Sequence, residues 1–300
     1  MTMHYDTIVI GGSFAGLSAA MQLARARRRV LVVDAGRPRN RYASHSHGFF
    51  GQDGKAPQEI AALGRRQLAA YPTVSFLDGE VQTARQADGG FVASLADGRE
   101  ARAARLILAI GVSDALPPIP GMQERWGATV LHCPYCHGYE IGDRPLGVLA
   151  NAPASLHQAL LLPDWGPTTY FTQARHEPDA QQLASLQARG VRIERTPVVA
   201  LLGEAPTLHA VGLADGRIVP VYALFTAPKT SLASPLARQL GCAVEAGPLG
   251  PFIKVDERQQ SSVKGVYAAG DAASPMSNAT LAAAAGVLAG MAAHRSLIGM

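Results

Sequence analysis

Cysteine is scarce in this chain: three occur in 300 residues, Cys133, Cys136 and Cys242. The first two stand too close together to close a loop that would constrain the unfolded chain, so a secreted disulfide framework is not expected. Lysine is nearly as rare, with only Lys55, Lys229, Lys254 and Lys264 among 27 basic residues, and a net charge of +4 is spread thinly. A nucleic-acid reader gathers its charge on one face. The one cluster, Arg25-Ala26-Arg27-Arg28-Arg29, falls where a predicted helix ends, and cations are favoured there by the helix dipole. No nucleic-acid partner is expected. Long apolar runs are missing too: the longest, Leu281 to Ala293, is alanine and glycine over too few residues to cross a hydrocarbon core of about 30 Å. The opening Met1-Thr2-Met3-His4-Tyr5-Asp6 carries no basic stretch, and Ile8-Val9-Ile10 is too short for a signal sequence. The chain reads as cytoplasmic, with no membrane partner. Its 48% hydrophobic content over 300 residues suffices for one large core or two modest ones.

The amino-terminal stretch has the order strand, glycine turn, helix. Asp6 to Ile10 is β-branched and leads into Gly11-Gly12-Ser13-Phe14-Ala15-Gly16, after which Leu17, Ala20, Met21 and Ala24 recur at helical spacing. A second strand, Val30 to Val33, ends on Asp34, 23 positions beyond Gly11. That is where a carboxylate reaches a ribose hydroxyl in a dinucleotide fold. Ser13 replaces the middle glycine of the fingerprint and is small enough for a pyrophosphate still to approach the backbone.

Near the other end, Gly265-Val266-Tyr267-Ala268-Ala269-Gly270-Asp271 predicts a strand closing on Gly-Asp, followed by an alanine-rich helix from about Asn278. A carboxylate at such a strand end is placed to bind a polyol. Between the two ends, Leu106 to Gly111 predicts a further strand, and Pro117, Pro118 and Pro120 then break the chain. A matching return falls near Ala227-Pro228-Lys229, so the intervening stretch reads as a domain inserted into the first. The expected boundaries are 1–115, 116–227 and 228–300.

The insert holds a faint repeat of the first unit, with a strand at Leu146 to Leu149 and helical spacing at Leu156, Leu160 and Leu161. Where the first turn has Gly11, Ser13 and Gly16, the second has Ala150, Ala152 and Ser155, with Pro153 between. Each added Cβ stands where a phosphate must touch backbone, and Pro153 has no N–H to donate. A disabled nucleotide site is expected.

The most informative stretch is His132-Cys133-Pro134-Tyr135-Cys136-His137-Gly138-Tyr139-Glu140. A zinc site would need a second ligand pair, and Cys242 has no cysteine or histidine at ligand spacing. Covalent haem usually accompanies export. Two thiols flanked by histidines and a proline are a poor choice for packing alone. A redox dithiol remains. Pro134 suits the first turn of a helix, which puts Cys133 near the N-cap, where free N–H groups and the positive dipole end stabilise a thiolate. His137, beside the second cysteine, is placed to move the proton that thiol–disulfide exchange requires. His132 and Glu140 are weaker candidates. His45 and His47, before Gly48-Phe49-Phe50-Gly51-Gln52-Asp53-Gly54, are lone loop histidines that would line a cofactor or substrate or simply face solvent.

Taken together, the fingerprint with Asp34, the Ala109-Ile110-Gly111 strand end, the inserted C-x-x-C segment and the Gly-Asp motif resemble the low-molecular-weight thioredoxin reductases over essentially the whole chain. The resemblance implies an α/β fold of two Rossmann-like nucleotide-binding domains, the second inserted into the first, and a homodimer. It implies FAD, with Gly11, Ser13, Gly16, Asp34, Gly270, Asp271 and Ala279 as its site. It also implies that Cys136 faces the flavin and Cys133 meets the substrate. Ordinary reductases carry an acid after the second cysteine; His137 stands there in this chain. The run Cys-Pro-Tyr-Cys-His-Gly-Tyr-Glu is instead similar to the branch containing the gliotoxin and holomycin dithiol oxidases. Ordinary reductases hold NADPH with a glycine-rich turn and a later arginine cluster. This chain departs at both, with Ala150 to Ser155 at the turn and Gln173-Ala174-Arg175-His176 after the next strand. The expected activity is an FAD-dependent dithiol oxidase in which Cys133, Cys136 and His137 act on a small dithiol or a thioredoxin-like protein and dioxygen accepts the electrons. A disulfide reductase fed by NADPH or a carrier protein, and a flavin-binding redox sensor, are the alternatives.

Overall fold

The computed structural model describes residues 3–300, which divide into two compact units. Of these, the first comprises residues 3–41, 57–113 and 231–300, and the second residues 42–56 and 114–230. The chain therefore passes between them four times. The sequence expectation assigned 42–56 to the first unit; it belongs to the second. Among the described residues, no helix is long and apolar enough to cross a membrane.

The first unit is built on a sheet with strands in the order Val74–Asp78, Val30–Asp34, Met3–Ile10, Glu100–Leu108, Gly90–Leu95 and Val81–Ala87. The first four run parallel, with helices Phe14–Arg25 and Pro57–Ala69 crossing between the first three strands of the chain. Glu100–Leu108 serves two neighbours on its other edge: Glu100 to Ala103 pair antiparallel with Gly90–Leu95, and Leu106 to Leu108 pair parallel with Val266–Ala268. This brings the carboxyl end of a strand from near the end of the chain beside strands from its beginning. Alternation along the strand at Met3–Ile10 sends Ile8 and Ile10 into one core and Val9 into the other, all fully or nearly fully buried.

The first helix, Phe14–Arg25, packs closely against the C-terminal helix, Ala279–Leu297. A Cβ on Gly286 or Gly290 would collide with the carbonyl of Ala15 or Ala19, so these two glycines set the separation of the helices. The alanine-rich composition of the C-terminal helix thus reflects backbone-to-backbone packing. Asn278 caps it, its side-chain oxygen accepting from the N–H groups of Thr280 (2.8 Å) and Leu281 (3.1 Å).

The second unit has a wholly parallel five-stranded sheet, ordered Arg192–Glu194, Thr168–Phe171, Leu146–Leu149, Ala223–Thr226 and Val130–Leu131. Four of these strands are buried throughout, as a sheet covered on both faces demands. An antiparallel meander, Val198–Leu202, Ala210–Leu213 and Ile218–Pro220, adds a second core around Leu201, Leu208 and Val211.

Candidate active site

In the first unit, four strand ends converge on one edge of the parallel sheet. Gly11 N–H donates to Val33 O at 2.8 Å, Ala109 N–H to Ile10 O at 2.8 Å and Ala269 N–H to Leu108 O at 3.1 Å. The turn residues Gly11 to Ser13, Asp34, Ala109 and the pair Gly270-Asp271 are thereby gathered where open α/β sheets bind ligands. The turn is tight. Gly11 has φ +112°, and a Cβ there or on Gly16 would strike backbone, the carbonyl of Ala109 in one case and of Gly11 in the other. A Cβ on Gly12 would lie 2.7 Å from the Asp34 carboxylate, so Asp34 reaches over the turn as its spacing from Gly11 predicts. Ser13 is the N-cap of the first helix and its side chain makes no capping bond. The Ser13 side chain thus takes none of the leading N–H groups of that helix, the end at which helices bind anions. Asp34 makes no side-chain hydrogen bond or ion pair among the described residues.

Sequence reasoning missed one member of this edge. Arg39 bonds Asp271 Oδ2 at 3.0 Å and Ser277 Oγ at 2.5 Å, tying the Gly-Asp turn to the start of the C-terminal helix, near Ala279. Asp271 is thus held by a cation lying 232 positions earlier in the chain, a separation that no local pattern reveals. The residues present fit a dinucleotide: an uncapped helix N-terminus for its phosphates, a backbone that no Cβ obstructs, and an unpaired carboxylate at the second strand end.

In the second unit, Cys133 and Cys136 form a disulfide, with Cα atoms 5.3 Å apart. The helix Pro134–Ile141 begins between them, with Cys133 as N-cap and Pro134 in its first turn. Cys133 and Cys136 are both half-buried, while Tyr135 and Tyr139 project into solvent. Gly138 lets this helix lie on Trp165, since a Cβ there would fall 2.8 Å from the indole ring. Ahead of the pair, His132 sets Nδ1 3.3 Å from Thr226 O, and buried Gln158 donates to His132 O at 2.6 Å and to Thr226 O at 3.3 Å. Gln158 was not singled out from the sequence; a glutamine on a mostly apolar helix gave no signal.

His137 follows Cys136 directly in the helix. Burial pushes its imidazole below the ordinary histidine value, the Glu140 carboxylate pulls it upward, and His47 pushes it down again. The depressed value favours the neutral base. His47 itself lies 3.4 Å from Glu140 Oε1 and 3.7 Å from Asp53 Oδ1 through Nδ1, whereas its neighbour His45 is exposed.

The second strand–turn–helix of this unit, Leu146–Leu149 into Ala154–Leu161, is closed upon itself. Ser155 is fully buried, and its Oγ accepts from the N–H groups of Asn151 (3.1 Å) and Ala152 (3.3 Å). Ala150 and Ala152 are buried as well, and the Asn151 side chain bonds Ala227 O at 3.0 Å. Beyond the next strand, Gln173 turns inward to bond both N–H and carbonyl of Val198, and Arg175 is exposed.

Several known proteins are similar to this chain over most of its length. Residues 5–286 match the model of the pyridine nucleotide-disulphide oxidoreductase family. The chain is 33% identical to "Thioredoxin reductase tcpT" of Claviceps purpurea, an alignment covering 98% of this chain and 94% of that one. Among solved structures, an oxidoreductase from Agrobacterium tumefaciens is 52% identical with a TM-score of 0.94, covering 99% of each chain. The structure of HlmI is 37% identical with a TM-score of 0.92, covering 99% of this chain and 94% of its own.

Proposed function

The chain belongs to the pyridine nucleotide-disulphide oxidoreductase family as a thioredoxin reductase-like flavin enzyme with a CxxC pair, and we propose that it is a dithiol oxidase. A substrate dithiol and dioxygen become a disulfide and hydrogen peroxide, two electrons and two protons passing from the first to the second. Family membership implies FAD, and Gly11, Ser13, Gly16, Asp34, Gly270, Asp271 and Ala279 are its proposed site in the first unit. FAD bound there supplies the two-electron acceptor that returns the reduced cysteines to the disulfide and yields the electrons to dioxygen. The chain's own residues handle sulfur and protons. A substrate thiolate attacks Cys133, breaking the Cys133–Cys136 bond and forming a mixed disulfide; the second substrate thiol then displaces Cys133. Neutral His137 takes up a thiol proton.

The observation that carries oxidase over reductase is the buried Ser155 hydroxyl holding the N–H groups of Asn151 and Ala152, since a phosphate would need those donors. The motif running from Cys133 to Glu140, with His137 in place of an acid, supports the same reading. The substrate is a small dithiol or a thioredoxin-like protein, and the enzyme acts as a cytoplasmic homodimer. An anaerobic titration tests the proposal. A generic dithiol should bleach the flavin absorbance and NADPH should not; rapid bleaching at micromolar NADPH would make the protein a reductase, and bleaching by neither would favour a redox sensor. Cys133→Ser should show long-wavelength absorbance as pH rises, from an unpaired Cys136 thiolate. Cys136→Ser should lack that band, and its Cys133 thiolate should instead be trapped as a mixed disulfide by the disulfide product, whose S–S bond it opens with release of the other sulfur as a thiolate. The opposite assignment would reverse the two roles.

A further inference from the structure

The segment 42–56 packs with the second unit but has no part in the exchange just described. It is a loop closed on itself: Ser46 N–H donates to Lys55 O at 2.8 Å, Gly54 N–H to Ser46 O at 2.9 Å and Gly48 N–H to Asp53 Oδ1 at 2.8 Å. Gly48 (φ +70°) and Gly54 (φ +75°) supply left-handed turns that side chains rarely adopt. The closed loop holds His47, whose side chain is 20% exposed, with Nδ1 3.4 Å from Glu140 Oε1 and 3.7 Å from Asp53 Oδ1. Glu140 follows His137 by three residues on the cysteine helix, so the two side chains share one face. One carboxylate therefore stands between two imidazoles. The inner one belongs to the residue after Cys136, and the outer one adjoins Asp53, whose side chain is 70% exposed.

Thiol exchange sets a problem that this arrangement answers. When neutral His137 accepts a proton from a thiol, the S–H bond breaks, its electron pair stays on sulfur, and a cation forms where burial disfavours it. That proton must leave before the next turnover. We propose that Glu140 and His47 are the proton outlet of His137, the carboxylate steadying the imidazolium and passing its proton to His47, and from there to Asp53 and water. This rests on reading Cys133–Cys136 as an exchange pair. The charged groups facing His137 are Glu140 and His47, with His45 (ring centroid 6.2 Å from that of His47) and Asp53 behind them, and the Cys136 thiol once the pair is reduced. A single carboxylate stabilises one cation between the imidazoles readily and two poorly. The opposing influences of Glu140 and His47 on His137 accord with that geometry. His47 and Glu140 are positioning residues in this scheme, acting through His137.

Two substitutions should move His137 in opposite directions. Glu140→Gln removes an anion and should lower the pH at which His137 protonates; His47→Gln removes a neighbour that disfavours its charge and should raise it. The holoenzyme would be followed in two ways: imidazole NMR titration from about pH 5 to 8, which spans histidine protonation, and alkylation of Cys133 and Cys136 after rapid mixing with dithiothreitol. Exchange near neutral pH should slow about 3- to 10-fold in both variants, less than the loss of a positioned base itself. Glu140 is 44% exposed and glutamine keeps its shape, so that variant should fold even if the His47 substitution loosens its loop. Unchanged titrations, or shifts of the same sign, would overturn the outlet. If the titrations shift and exchange slows but the native enzyme passes no electrons to dioxygen, the outlet stands and the oxidase reading fails. Oxidase turnover with unmoved titrations does the reverse, sparing the oxidase reading and removing the outlet, and a native pair that dithiothreitol does not reduce overturns both.

Discussion

The turns at Gly11–Gly16 and Ala150–Ser155 occupy the same place in the same supersecondary unit, between a buried parallel strand and a helix, yet they treat their N–H groups oppositely. The first offers an uncapped helix N-terminus and glycines whose substitution would strike backbone. The second turns its donors inward onto the Ser155 hydroxyl and buries Ala150 and Ala152. A strand–turn–helix frame is thus not itself a nucleotide site. What decides is whether the donors at the turn still lack partners once the chain has folded.

The sharpest way to break that comparison is Gly16→Ala. Its methyl group would meet the Gly11 carbonyl, displacing the first turn from its helix at a cost on the order of 3 kcal/mol or more. The purified variant should be colourless and should not recover flavin absorbance on reconstitution. A folded variant, by circular dichroism, with stoichiometric FAD would show that close approach at this turn is not required.

The second unit should depend instead on its cysteine helix. His137→Ala should slow dithiol exchange by ~100-fold, the loss expected for a positioned acid–base, while leaving the flavin spectrum intact. In the native protein the exchange rate should hold as pH falls to the ordinary histidine value and drop only below it. The sign follows from burial: the charged form of His137 is disfavoured, so the neutral form that accepts a proton persists to lower pH. A rate already falling well above about pH 6.5, the unperturbed value, would assign the base to another group.

Asp34→Ala isolates one carboxylate of the first turn. Losing its charge-assisted hydrogen bonds should weaken FAD binding by about 1.5–3 kcal/mol, or roughly 10- to 150-fold in Kd by fluorescence titration of the apoprotein. An unchanged Kd would remove Asp34 from the site.

The smallest effect sharpens the contrast most directly. Ser155→Ala leaves the N–H groups of Asn151 and Ala152 without their partner and should cost about 1–2 kcal/mol in urea unfolding, with no gain in reduction by NADPH. Ala150, Ala152 and Pro153 still obstruct the turn. Should NADPH reduction appear in this variant, the serine alone would have been the barrier.

The cysteine pair and its helix were legible in the chain because they are local. The CxxC spacing, with Pro134 following the first cysteine, specifies a helix N-terminus with Cys133 at its cap, and His137 follows directly. The spacing of Gly11, Gly16 and Asp34 is likewise fixed by one β-α-β unit, whose short crossover leaves little freedom in where the second strand ends. The glycine and alanine patterns told the two turns apart, one held tight by glycines against backbone and the other buried on alanines.

The remainder was decided by tertiary structure, since it depends on partners that sequence distance conceals. The pairing of Arg39 with Asp271, the return of segment 42–56 to the second unit, and the meeting of His47 with Glu140 all join residues on separate elements. No periodicity encodes which loop covers which helix. Burial sets the state of His137, and burial is a property of the packed molecule. Local sequence determined which groups are reactive, because capping and turn geometry act over a few residues; packing determined which charges face them, because that is settled only when distant segments share one core.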